Sequence, residues 1–123
     1  MHRQSWFFYG TLRDPGILQE VTGGSPDLHR AEAVLENYEC VYIHGRSYPA
    51  LRPARGSLVP GVVCTGFSAD QLAGIFDFEG DEYVPGELTI AGRTCRVFLP
   101  APGIRLTDRI WDFSLWVARG KRV

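Results

Sequence analysis

Ser5-Trp6-Phe7-Phe8-Tyr9-Gly10-Thr11-Leu12-Arg13-Asp14-Pro15-Gly16 decides the fold. The aromatic run Ser5 to Tyr9 reads as a buried strand, because bulky planar side chains suit a pleated, covered surface. It stops at Gly10-Thr11. Asp14 then fits a helix N-cap and Pro15 the first helical position, with Ile17, Leu18 and Val21 as the apolar side and Thr22-Gly23-Gly24-Ser25-Pro26 as the end. Between strand and helix, glycine permits an unusual turn and several backbone N–H groups lack partners. Such a loop can hold a carboxylate through backbone donors, and Arg13 would add positive charge. An ordinary strand-loop-helix junction reads the same way, so this segment alone leaves both uses open.

A second helix start stands at Ser68, an N-cap with Gln71 three residues on, as a capping box requires. Leu72, Ile75 and Phe76 then share one face at helical spacing, and Glu79, seven residues after Leu72, points the same way. Gly80 suits the position just past the helix end. Asp77, Glu79, Asp81 and Glu82 crowd a C-terminus whose dipole disfavours negative charge. Burial and like-charged neighbours both raise a carboxyl pKa, and a raised value makes Glu79 a better general base near neutrality. A frayed helix with a solvated Glu79 is the other reading of the same residues.

Around these two anchors the chain reads as strand-rich. Strands are expected on both sides of Asn37 within Ala31 to His44, and over Val62 to Phe67. A hairpin is expected from Glu87–Ile90 and Arg93–Leu99, turning at Ala91-Gly92. Gly45 to Pro60, rich in Gly, Pro and Arg, reads mostly as loop, with Tyr48-Pro49-Ala50-Leu51 as a rigid turn of the kind that lines pockets. Trp111 to Val117 fits a strand or a short helix. The expected fold is α+β, a curved sheet or small mixed β-barrel with a few flanking helices, one domain over residues 1–123.

Composition narrows the partners. With 45% hydrophobic and 22% charged residues and a net charge of −1, the chain has ordinary globular composition and no electrostatic case for nucleic acid or an anionic membrane. Basic residues are scattered apart from the Arg119-Gly120-Lys121-Arg122 tail. Cys40, Cys64 and Cys95 are widely spaced and odd in number, which argues against a disulfide framework; with His2, His29 and His44 they make no metal-ligand spacing. The start Met1-His2-Arg3-Gln4 leads into an apolar run too short for a secretory signal, and no run reaches membrane-spanning length. A cytoplasmic location is expected, with no metal and no cofactor, since no phosphate-binding loop, dinucleotide fingerprint or Ser-His-Asp set occurs.

Tyr9-Gly10-Thr11-Leu12 after an N-terminal apolar strand, then Tyr48-Pro49-Ala50-Leu51, then Phe78-Glu79-Gly80 followed by Tyr83, together resemble the γ-glutamylcyclotransferase-like superfamily. The resemblance runs from about Trp6 to Trp116 and is nearest to its AIG2-like and γ-glutamylamine cyclotransferase branch. It implies a small mixed β-barrel with flanking helices, and cleavage of a small γ-glutamyl amide by its own α-amine to give 5-oxoproline and an amine or amino acid. By the same resemblance Glu79 is the general acid/base. The Tyr9-Gly10-Thr11-Leu12 loop binds the glutamyl moiety, Tyr48 and Pro49 line the site, and Tyr83 shapes it. One departure stands out: many relatives carry an Arg shortly after that Tyr, where this chain reads Val84-Pro85-Gly86-Glu87. The Asp81-Glu82 pair disfavours an anionic leaving portion and points to a γ-glutamyl amine over a dipeptide. The alternative on the same fold is a non-catalytic module binding a small carboxylate, and a third is a purely structural domain with Glu79 in solvent.

Overall fold

A computed structural model describes residues 4–24 and 28–121. Met1 to Arg3, Ser25 and Pro26 expected at the first helix end, and Arg122 of the basic tail lie outside the described residues. Strands β1 (Ser5–Phe8), β2 (His29–Ile43), β3 (Pro49–Thr65), β4 (Tyr83–Ile90), β5 (Arg93–Pro100) and β6 (Leu106–Ile110) form one mixed sheet, ordered β4-β5-β1-β3-β2-β6. The sheet curls into an open half-barrel, and helices α1 (Pro15–Thr22), α2 (Ala69–Glu79) and α3 (Phe113–Ala118) accompany it, so the fold is α+β. No helix among the described residues is long and apolar enough to cross a membrane.

β1 is central, antiparallel to β3 and parallel to β5. Both its faces are covered, which is why its sequence is apolar without alternation. Phe7, with Tyr9 just beyond the strand, joins a core of Leu35, Leu51, Val97, Trp111 and Trp116. Trp6 and Phe8 join a second core with Leu12, Leu18, Ile75 and Phe98. Cys40, Cys64 and Cys95 are unpaired and buried within these cores; burial pushes the Cys40 thiol up to about 12 and the Cys64 thiol to about 11.

The helix starts follow the sequence. Asp14 accepts from the Ile17 N–H at 3.0 Å, and the capping box is complete, with Gln71 N–H to Ser68 Oγ at 3.2 Å and Ser68 N–H to Gln71 Oε1 at 2.8 Å. The Gln71 amide also donates to the Gly24 carbonyl at 2.6 Å and so ties α2 to the end of α1. Asp112 caps α3 through the Leu115 N–H at 2.9 Å, which settles the C-terminal segment as a helix from Phe113. The hairpin turns at Ala91 (φ 52°) and Gly92 (φ 75°), the two left-handed residues of a tight hairpin turn.

Two expectations fail. Residues 49–60 are not a loop but most of β3, and Pro49-Ala50-Leu51 opens that strand instead of forming a turn. β1 pairs only with residues 62–65 of β3, so residues 49–60 have a strand partner on the β2 side alone. Proline is tolerated along such an edge because the missing N–H breaks no ladder. Strand stands on both sides of Asn37 as expected, the two arms joined in the single strand β2. Asn37 (φ 66°) sits at a register shift, and its Oδ1 accepts from the Gly56 N–H at 3.0 Å across a bulge in β3.

Gly61, where β3 crosses β1, has no room for a side chain. A Cβ there would stand 2.4 Å from the Phe8 carbonyl oxygen and 2.6 Å from the Phe7 ring. Gly61→Ala is expected to cost about 2 kcal/mol, read as a lower urea midpoint with an unchanged m-value. A midpoint equal to the native one would show that β1 and β3 approach less closely.

Candidate active site

Chain segments far apart in sequence meet at one end of the sheet. β1 runs out into Tyr9-Gly10 and a single 3-10 turn, Thr11–Arg13; β3 begins at Pro49, β4 begins at Tyr83, and α2 ends at Glu79. Together they line a cavity of about 280 Å³. Its lining includes Tyr9, Gly10, Thr11, Leu12, Tyr48, Pro49, Glu79 and Tyr83, the residues that the sequence assigned to catalysis or substrate binding. Four phenylalanines that sequence reasoning missed, Phe7, Phe8, Phe78 and Phe98, complete the wall. Phe78 was within reach as Glu79's neighbour, whereas Phe98 enters only through the register of β5 beside β1.

Local folding explains how Glu79 arrives there. Ile75 is fully buried in the core that includes Trp6 and Phe98, so the α2 face carrying Leu72 and Ile75 is fixed inward. Glu79, one turn after Ile75, is thereby aimed along the same side. Gly80 ends the helix with φ 73° and ψ −168°, a backbone conformation open to glycine, its N–H on the Phe76 carbonyl at 3.1 Å. As a whole residue Glu79 is half-buried, but its carboxyl lies among aromatic walls, and loss of hydration raises its pKa from 4.5 to about 7. Like-charge crowding is not the cause. Asp77 and Asp81 are exposed, and Glu82 turns away to Arg46 and Tyr48.

The three tyrosines on the wall have committed their protons. Tyr9 donates to the Phe98 carbonyl at 2.6 Å, Tyr83 donates to the Pro49 carbonyl at 2.6 Å, and Tyr48 donates to the Glu82 carboxylate. Arg46 Nε stands 3.3 Å from Glu82 Oε2. The neighbours 48 and 49 therefore bond to the neighbours 82 and 83, a cross-brace that holds the start of β3 against the start of β4. Burial raises the pKa of both Tyr9 and Tyr83, and the Glu79 charge pushes each the same way. Burial, then the bond to Glu82, also raises Tyr48. All three stay neutral phenols, which leaves Glu79 as the cavity group that changes charge near neutral pH.

The loop at the other side differs from expectation in two details. Gly10 has φ −105°, outside the left-handed region, and a Cβ there would meet Pro49 Cγ at 3.4 Å, an ordinary contact. Arg13 does not charge the cavity. Its guanidinium lies 4.2 Å over the Phe113 ring, in a separate cleft lined also by Cys40 and Trp111. The 3-10 turn bonds through the N–H groups of Arg13 and Asp14, at 3.1 and 3.0 Å, which leaves the N–H groups of Thr11 and Leu12 outside those bonds. Among the described residues no group of three or more His, Cys, Asp or Glu is placed to hold a metal ion.

Chemically, the site offers one carboxyl poised near neutrality in a cavity that is walled largely by aromatic side chains and shared with the Gly10-Thr11-Leu12 loop.

Comparison with known proteins gives this geometry a context. Protein AIG2 A of Arabidopsis thaliana is 30% identical over 78 residues, which cover 63% of this chain and 45% of that protein. The match therefore spans about half the length of that relative. A solution structure from Arabidopsis thaliana superposes with a TM-score of 0.72 at 22% identity, covering 98% of this chain and 85% of the other. The solved structure of a gamma-glutamyl cyclotransferase gives 0.68 at 18% identity, covering 86% and 69%. At these identities the two structures speak for the fold alone. The family model for gamma-glutamyl cyclotransferase, AIG2-like, matches residues 6–113, which take in both the Tyr9–Leu12 loop and Glu79. The chain belongs to the gamma-glutamyl cyclotransferase, AIG2-like family.

Proposed function

We propose that the protein cyclises the γ-glutamyl part of a small γ-glutamyl amide to 5-oxoproline and releases an amine. One observation carries this reading: the Glu79 carboxyl, with a pKa near 7, stands in a cavity whose wall also includes the Gly10-Thr11-Leu12 loop. The substrate α-carboxylate is held by backbone N–H groups of that loop. Its α-ammonium gives a proton to Glu79, and the freed amine attacks the γ-carbonyl carbon. A ring C–N bond forms and the amide C–N bond breaks. Glu79 returns its proton to the leaving nitrogen, and the second proton of the ring nitrogen passes through the carboxylate to the departing amine or to solvent. No electron changes hands, and no protein nucleophile is required. Holding the two ends of one substrate together supplies much of the acceleration, and a positioned base adds about 10²–10⁴-fold.

The pH profile tests the role. Glu79 acts as base only when ionised, so kcat/KM for 5-oxoproline formation should fall as pH drops through about 7. A profile flat from acid to neutral pH, with product still forming, would remove Glu79 from the mechanism.

A further inference from the structure

Phe78, at 46%, is the most exposed residue lining the cavity, so it stands at the opening. It follows that the glutamyl end of a substrate, drawn to the loop N–H groups and Glu79, projects its leaving group outward past Phe78. Another aromatic of the wall, Phe98, is held by its own packing. Phe98 stacks on Trp6 with ring centres 5.1 Å apart and meets Phe76 edge-on at 5.1 Å.

The tyrosine hydroxyls of the wall are already engaged. The tyrosine protons of Tyr9, Tyr48 and Tyr83 are spent on Phe98, Glu82 and Pro49, and the Arg46 guanidinium is held by Glu82. Among the described residues lining the cavity there is no cation to receive a carboxylate on the leaving group, which would meet the Glu79 charge. An ammonium would find the Glu82 charge already neutralised by Arg46. An apolar group meets none of these costs and gains the aromatic contact. At about 280 Å³ the cavity is also small beside ligand sites of roughly 300–1,000 Å³, which limits the leaving group to about one ring or a short chain.

We infer that the leaving side of this cavity selects an uncharged, apolar amine, arylalkyl or short alkyl, with Phe78 as the specificity-determining side chain. The inference rests on the γ-glutamyl reading above. In the step concerned the amide C–N bond breaks and the neutral amine departs past Phe78.

Four amides test it: γ-glutamylbenzylamide, γ-glutamylmethylamide, γ-glutamylalanine and Nε-γ-glutamyl-lysine, with 5-oxoproline as the readout. The benzylamide should exceed the alanine and lysine compounds in kcat/KM by about tenfold or more. Phe78→Ser should shrink the benzylamide-to-methylamide ratio by about tenfold, and Phe78→Leu should keep most of it. A ratio unmoved by Phe78→Ser, or a preference for the alanine or lysine compound, overturns the inference while the cyclisation stands. If no compound yields 5-oxoproline, the cyclisation reading falls, and calorimetry with Glu79→Gln decides the selectivity. Tighter binding of the benzylamide than of γ-glutamylalanine supports it, and equal binding overturns it.

Discussion

Glu79→Gln is expected to abolish 5-oxoproline formation, by about 10²–10⁴-fold or more, and at the same time to stabilise the folded chain above pH 7. Both effects come from one property. The folded-state pKa of Glu79 lies near 7, above its ordinary 4.5, because burial penalises the charged form. A proton held more tightly by the folded state gives stability that is complete below about 4.5 and is lost as pH rises through about 7. Above that range the native chain carries a buried carboxylate at a net cost. The shift sets a ceiling of about 3 kcal/mol on that cost, and partial exposure of the side chain reduces it to about 1–2 kcal/mol. Glutamine keeps the shape without the charge. Urea midpoints of the variant and the native chain should therefore nearly coincide at acid pH and separate in the variant's favour at pH 8.5. A variant that is less stable at both pH values, or that keeps its activity, would contradict the account of this carboxyl.

Trp6→Ala should produce the largest loss of stability. Trp6 is 1% exposed on the central strand, stacked on Phe98, edge-on to Phe76 at 5.6 Å, with the Arg96 guanidinium 5.3 Å from its ring. Truncating a buried aromatic of this kind costs about 3–5 kcal/mol, a large share of the roughly 5–15 kcal/mol that holds a domain together. The damage would reach the site as well, because Phe98 is a cavity wall and loses its stacking partner. Trp6→Phe is expected to cost much less, since the indole N–H is buried without an acceptor among the described residues and its removal breaks no bond. Chemical denaturation separates the two variants. A Trp6→Ala loss below about 1 kcal/mol would mean that the core under α2 repacks freely.

What the sequence made legible was local. The capping box at Ser68, the Asp14-Pro15 helix start and the Ala91-Gly92 turn each lie within a few residues of the partners that fix them, and each appears as expected. Ser5 to Tyr9 was readable because strand propensity and full burial ask for the same residues. The end of β3 was readable from Val62 onward, but residues 49–60 were not, because their prolines are tolerated only where no second strand pairs, a fact set by where β1 stops. β6 was missed for a related reason. It is an edge strand with Asp108, Arg109 and Ile110 exposed, and it meets β2 at Val41–Ile110 and Ile43–Leu106 across an irregular register. At the site, Glu79 was conspicuous as a carboxylate on an apolar helix face. The direction of Arg13 was not, because Phe113, a distant residue, sets it. The cross-brace of Tyr48 and Tyr83 likewise depends on acceptors, Glu82 and Pro49, that only the fold brings within reach.

The central claim is an intramolecular attack, and isotope labelling tests it most directly. A γ-glutamyl amide carrying ¹⁵N at its α-amine is incubated with the protein in ¹⁸O-water, and the products are read by mass spectrometry. The account predicts 5-oxoproline that retains the ¹⁵N in its ring, gains no ¹⁸O, and appears with one equivalent of free amine. Free glutamate carrying ¹⁸O would mean hydrolysis by water, and intact substrate bound to the protein would mean a binding module; either result would contradict it.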